Sequence, residues 1–90
     1  MRCKKLRITG VVQGVGYRAW ARRLARELNV LGYVRNMDDG SVEMVICAPE
    51  NIMTVMINAA KKGPPASVVK SVEVEDIEFE PSKEGFEIWM

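Results

Sequence analysis

Ninety residues with 13 basic and 12 acidic side chains, a formal charge of +1 and an ordinary globular composition make a chain long enough for one core, with no global field to draw nucleic acid or membrane. The chain has no histidine, which excludes imidazole-activated serine or cysteine nucleophiles and any zinc site that needs imidazole. Catalysis, if there is any, rests on Arg, Lys, carboxylates, amides and backbone.

The start, Met1-Arg2-Cys3-Lys4-Lys5-Leu6-Arg7, is basic but is not followed by the apolar stretch of a secretory signal. No apolar run approaches bilayer-spanning length. The expectation is one cytoplasmic domain over residues 1–90. Lys4 to Val12 alternates, with Leu6 and Ile8 on one side and Lys5, Arg7 and Thr9 on the other, and predicts a half-buried strand. Gly10 and the segment Gln13-Gly14-Val15-Gly16 end it. Arg18 to Asn29 has helical spacing, with Trp20, Leu24 and Leu28 in one row, Ala21 and Ala25 beside it, and Gly32 placed to terminate the helix. Tyr33 to Met37 predicts a short strand and Asp38-Asp39-Gly40 a hairpin turn. The return strand, Ser41 to Cys47, turns Val42, Met44 and Ile46 inward. Pro49-Glu50 opens a second helix whose Met53, Met56, Ile57 and Ala60 form its apolar stripe. Lys61, Lys62 and Gly63-Pro64 close it. Strands from Val68 to Phe79 and from Gly85 to Met90 complete the chain, the latter with Phe86 and Ile88 on one face.

The order β-α-β-β-α-β plus a terminal strand is the α+β, ferredoxin-like pattern, with two helices on one face of a mainly antiparallel sheet. That fold hosts many functions, so function has to come from a site. The informative stretch is Gly10-Val11-Val12-Gln13-Gly14-Val15-Gly16-Tyr17-Arg18. The first helix has no Ser, Thr, Asp or Asn at its cap, whereas the second opens with a proline, an acid and a carboxamide. Gly14 and Gly16 permit a tight turn and a close external approach. Arg18 in the first turn is a cation set against the helix dipole. An anion resolves all three oddities: it accepts from the free amides, uses the dipole and pairs with the guanidinium. The plainer alternative is a glycine turn beside a solvated arginine, and these residues alone leave both open. Asn36 lies near the end of the second strand. This strand runs parallel to the first, so Asn36 comes to the same sheet edge as the glycine loop. A carboxamide both donates and accepts, so it is suited to orient a water; a turn-forming asparagine is the alternative.

Gly10-x-Val12-Gln13-Gly14-Val15-Gly16-Tyr17-Arg18 followed by Gly32-Tyr33-Val34-x-Asn36-x-x-Asp39-Gly40-Ser41-Val42-Glu43 strongly resembles the acylphosphatase family. Gly63-Pro64, the strand from Val68 to Val74 and Gly85-Phe86-x-Ile88 extend the resemblance over essentially the whole chain. It implies hydrolysis of carboxylic–phosphoric anhydrides without metal or cofactor. Arg18 and the loop amides of Gln13, Gly14, Val15, Gly16, Tyr17 and Arg18 would bind the phosphate, and Asn36 would position the attacking water. The water's proton would pass to the bound phosphate. The chain departs from the family at Trp20 and Ala21, where many relatives have a polar residue. It also departs at Ile52 and Val55, which read either as a wider core contact or as a weak self-association face on a monomer.

Cys3 opens the first strand and Cys47 ends the third, and these strands are antiparallel neighbours in this topology. Parity puts both on the helix-free face, so a disulfide is geometrically accessible, with two reduced thiols as the cytosolic alternative. Gly14-x-Gly16-x-x-Ala19 formally fits a dinucleotide fingerprint, but the chain is too short for a doubly wound domain. An RNA-binding module would carry aromatics on its central strands. Here their open face carries Lys5, Arg7, Thr9, Ser41 and Glu43, so no nucleic-acid partner is expected. A third alternative is the acylphosphatase-like domain of hydrogenase-maturation carbamoyltransferases, which belongs to far longer chains. The expected partner is a small acyl phosphate.

Overall fold

The computed structural model describes residues 2–89. In chain order these form β1 (Arg2–Val11), α1 (Tyr17–Glu27), β2 (Leu31–Asn36), β3 (Val42–Ala48), α2 (Glu50–Lys62), β4 (Val68–Ile77) and β5 (Phe86–Trp89). The strands lie in the order β4-β1-β3-β2-β5. β1 pairs antiparallel with β3 and β4, while β2 pairs antiparallel with β3 and parallel with β5. This is the expected ferredoxin-like arrangement with an added terminal strand. β1 and β2 run parallel on either side of β3, and Val42 is in register with both Ile8 and Asn36. The chain leaving β1 and the chain leaving β2 therefore emerge at one sheet edge.

α1 packs over β2 and β5, and α2 over β1, β3 and β4. Leu6, Ile8, Val34, Val42, Met44, Ile46 and Phe86 are fully buried beneath Ala21, Ala25, Met53, Met56 and Ala60. The deepest row of α1 is Tyr17, Ala21 and Ala25, not Trp20, Leu24 and Leu28, which are half-buried flanks. Small side chains occupy the line of closest approach because they let the helix settle onto the sheet, and the bulky residues fill the wedge at either side. Ile52 packs against the core, whereas Val55 is exposed.

The end of α1 differs from the sequence expectation. Asn29 takes the left-handed conformation at φ 58°. Its N–H donates to Arg26 O at 3.3 Å and the Val30 N–H to Ala25 O at 2.8 Å, the paired bonds of a Schellman motif. Gly32 lies instead inside β2 at φ 135°, where a Cβ would come within 1.9 Å of the Val45 carbonyl oxygen. It is a close-approach glycine between two strands and not a helix stop.

The helix-free face holds a second apolar cluster of Cys3, Tyr33, Val45 and Cys47, with Leu31, Ile77 and Phe79 against it. This face does carry aromatics, on β2, on β5 and just past the end of β4. Tyr33 stacks on Trp89 with ring centroids 3.6 Å apart and contacts Phe79 at 5.5 Å. The Tyr33 hydroxyl and Arg35 Nε both donate to Glu43 Oε2 at 2.8 Å. Burial, reinforced by Glu43, pushes the Tyr33 phenol up to about 12, so it remains a donor.

Cys3 and Cys47 are register partners across β1 and β3 and form a disulfide that closes a separation of 44 residues. Unreduced protein is expected to give no free thiol. Reduction should lower the free energy of unfolding by roughly 4 kcal/mol, the chain-entropy figure for a loop of this length. Denaturant titration with and without reductant measures the difference, and two free thiols before reduction would contradict the pairing.

Candidate active site

The segment between β1 and α1 is held at its ends and bare in its middle. Val12 and Tyr17 are 1% exposed, whereas Gly14 and Gly16 between them are exposed. The Tyr17 hydroxyl donates to the Ala60 carbonyl at 2.7 Å, tying the start of α1 to α2. Burial raises the Tyr17 phenol far above its ordinary value, so this donor does not titrate near neutrality. Gly14 and Gly16 have φ of 74° and 79°, and a Cβ on either would meet nothing within 4 Å. These glycines serve backbone conformation, since other residues are strained there.

Gly16 is the N-cap of α1, and among the described residues no side chain caps the helix. The first turn, Tyr17-Arg18-Ala19-Trp20, contains no acid. One contrast drawn from sequence needs correction. Pro49 is itself the N-cap of α2 and provides no side-chain cap either. What separates the two helix starts is charge: α2 has Glu50 in its first turn, as the dipole favours, and α1 has Arg18.

Asn36 ends β2 beside this segment. Arg18 and Asn36 line a single recess of about 220 Å³ with Val12, Gly14, Gly16, Tyr17, Ala19 and Ile88. The Oδ1 of Asn36 is buried and has no hydrogen-bond partner among the described residues. Such an orphaned acceptor is costly unless something outside the chain donates to it. Arg18 makes no ion pair with a carboxylate among the described residues. Arg2, Lys4, Lys5, Arg7 and Arg35 do, but Arg22, Arg23 and Arg26 of the same helix make none among the described residues either, so what sets Arg18 apart is its place in the recess with Asn36.

Two of the expected loop residues stand apart. The side chain of Val15 packs on the core, and that of Gln13 turns away to the β2–β3 hairpin. That hairpin is ordered from within by Asp39, which accepts from the amide and hydroxyl of Ser41 and from Arg7. The Ser41 hydroxyl and Arg7 hold the Asp39 carboxyl well below the usual carboxylate range. Ile88 was not singled out from sequence as a site residue. Its alternation with Phe86 marked a face, but only the parallel register of β5 on β2, Ile88 opposite Val34, brings it to the recess.

Larger cavities lie elsewhere. One of about 630 Å³ is bordered by Cys3, Asp76, Glu78 and Glu80. Another of about 390 Å³ on the helix-free face is bordered by Lys5, Arg7, Asp39, Glu73 and Glu75. Their cations are already neutralised, Arg7 by Asp39 at 2.6 Å and Lys5 by Glu75 at 3.2 Å. A third, of about 370 Å³, is bordered by Asn36 itself with Arg35, Asp38 and Asp39, but its arginine is paired with Glu43. Size therefore does not locate the chemistry; the small recess is where Asn36 and Arg18 meet. No group of three or more Cys, Asp or Glu among the described residues is arranged to hold a metal ion.

Fold and recess together define a small ferredoxin-like α+β protein with a glycine loop, an arginine that has no carboxylate partner among the described residues, and an asparagine at one sheet edge. The acylphosphatase family profile matches residues 4–88. The chain is 48% identical over 87 residues to the acylphosphatase of Thermotoga maritima, covering 97% of this chain and 92% of that protein. It is 50% identical over 82 residues to that of Caldivirga maquilingensis, covering 90% and 86%. The crystal structure of acylphosphatase from Bacillus subtilis matches with a TM-score of 0.92 at 32% identity over 100% of both chains. The chain belongs to the acylphosphatase family and is a hydrolase acting on acid anhydrides, the family function being acyl phosphate hydrolysis.

Proposed function

We propose that the phosphoryl group of an acyl phosphate sits on the amides of residues 13–18 and the Arg18 guanidinium, while Asn36 aims the attacking water. The observation that carries this reading is that one recess is shared by Asn36, whose Oδ1 is buried without a partner, and by an arginine with no carboxylate partner among the described residues. Uncapped amides at the positive end of α1 favour a tetrahedral oxyanion, and a guanidinium fork adds two parallel donors to its oxygens. Asn36 Oδ1 accepts one proton of a water and so fixes the direction of its lone pair. Water attacks phosphorus, the P–O bond to the acyl group breaks, and the electron pair leaves on a carboxylate. The water's proton passes to the phosphate. Because the leaving group is already good, positioning and charge stabilisation suffice, and the lack of histidine costs nothing.

The same reading has the chain act without metal, as a cytoplasmic monomer. Ile52 joins the core and leaves Val55 as an isolated exposed valine on α2, which argues against a contiguous self-association face there. The test is hydrolysis of benzoyl phosphate with excess chelator. Turnover unchanged by the chelator and competitively inhibited by inorganic phosphate is expected. An inert protein, or inhibition by phosphate that does not compete with substrate, would contradict the reading.

A further inference from the structure

The side chain of Gln13 stands between the two halves of this site without lining the recess. Its backbone belongs to the glycine segment, but its side chain crosses to the hairpin that follows Asn36. Nε2 donates to the Met37 carbonyl at 2.8 Å and to the Ser41 carbonyl at 2.9 Å. These two residues close the hairpin, since the Met37 N–H also donates to the Ser41 carbonyl at 2.8 Å. One NH₂ group thus spends both protons on the two ends of a single turn, and a two-point attachment of this kind fixes angle as well as distance. Asp39 orders the hairpin from inside, but Gln13 alone among residues 13–16 ties it by a side chain to the segment that precedes Arg18.

We propose that Gln13 is a positioning residue: its carboxamide sets the water-holding side chain of Asn36 in register with the phosphate-holding loop. The inference rests on the roles assigned to Arg18 and Asn36 above. In-line displacement requires the water and the phosphorus to be aligned, and a misplacement of about 1 Å costs up to roughly 10²-fold in rate. Both halves have their own anchors, Tyr17 in one and Asp39 in the other. Loss of the brace therefore leaves each half formed but loosely registered. Phosphate, which needs only the loop half, should still bind.

The experiment is a double-mutant cycle on the intact chain with benzoyl phosphate. Gln13→Ala is expected to lower kcat about tenfold, with the inhibition constant of inorganic phosphate within about twofold of wild type. In an Asn36→Ala background, adding Gln13→Ala should change kcat by less than about twofold, because the alignment it protects is already lost. Two results would overturn the proposal. One is full multiplication of the two effects, which would make Gln13 act on the loop alone. The other is a loss of phosphate inhibition as large as the loss of turnover. A wild-type kcat in Asn36→Ala itself would instead sink the underlying assignment of Asn36, and is distinguishable from both. Thermal midpoints accompany each variant. If Gln13→Ala does not fold, Gln13→Met, of matched length but without donors, carries the same cycle.

Discussion

Arg18→Ala is expected to lower kcat/KM for an acyl phosphate by roughly 10³-fold or more, the scale for an arginine that meets charge on a transferring phosphoryl group. Inhibition by inorganic phosphate should weaken by about 10- to 100-fold, corresponding to the loss of charge-assisted hydrogen bonds worth roughly 1.5–3 kcal/mol. The fold should not suffer. Arg18 is only half-buried and makes no ion pair among the described residues, and a cation in the first turn opposes the helix dipole. Removing it should leave the unfolding midpoint unchanged or slightly higher. Arg18→Lys should recover little activity, because a point charge does not reproduce a planar fork. Loss of activity combined with unchanged or improved stability would be hard to reconcile with a solvated surface arginine. Near-normal activity in Arg18→Ala would return the glycine segment to the status of a plain turn.

Asn36→Ala should separate binding from chemistry. Turnover is expected to fall by roughly 10²–10³-fold, the range for losing one positioned polar group at a reacting centre. Phosphate inhibition should be largely kept, since the loop and Arg18 are untouched. Stability gives a second readout. Asn36 Oδ1 is buried without a partner among the described residues, so alanine removes an unsatisfied acceptor and should not unfold the domain. If Asn36→Ala is destabilised while its residual folded fraction turns over normally, the residue belongs to the hairpin and not to the reaction.

Much of this architecture was legible because it depends on parity and on turn chemistry. The alternation around Leu6 and Ile8, the Asp38-Asp39-Gly40 turn and the helical stripe of Met53, Met56 and Ala60 each follow from local periodicity. The Cys3–Cys47 pairing followed from parity once the strand order was known, and β1 and β3 are indeed in that register. The convergence of Arg18 and Asn36 at one edge followed from the parallel sense of β1 and β2.

What stayed hidden depends on approach distance and on side-chain direction. Gly32 looked like a helix stop because sequence shows where glycine is, but not whether a Val45 carbonyl presses against it. Trp20 and Leu24 outweighed Ala21 and Ala25 by hydrophobicity, yet the small residues bury deepest because the helix lies close to the sheet. The second apolar cluster was missed because Tyr33, Phe79 and Trp89 come from three distant segments that meet only across the finished sheet. Gln13 was read through its backbone amide, and nothing in its neighbours announced that its side chain reaches residues 24 and 28 positions away.

The central claim is that the amides leading into α1, together with Arg18, form the seat for a tetrahedral oxyanion. A crystal grown or soaked with inorganic phosphate tests it most directly. The expected map shows the anion within hydrogen-bond distance of backbone N–H groups from the segment 13–18, with both terminal nitrogens of Arg18 on its oxygens and the Asn36 carboxamide bordering it. An empty loop with the guanidinium turned into solvent, at phosphate concentrations that inhibit the enzyme, would contradict it.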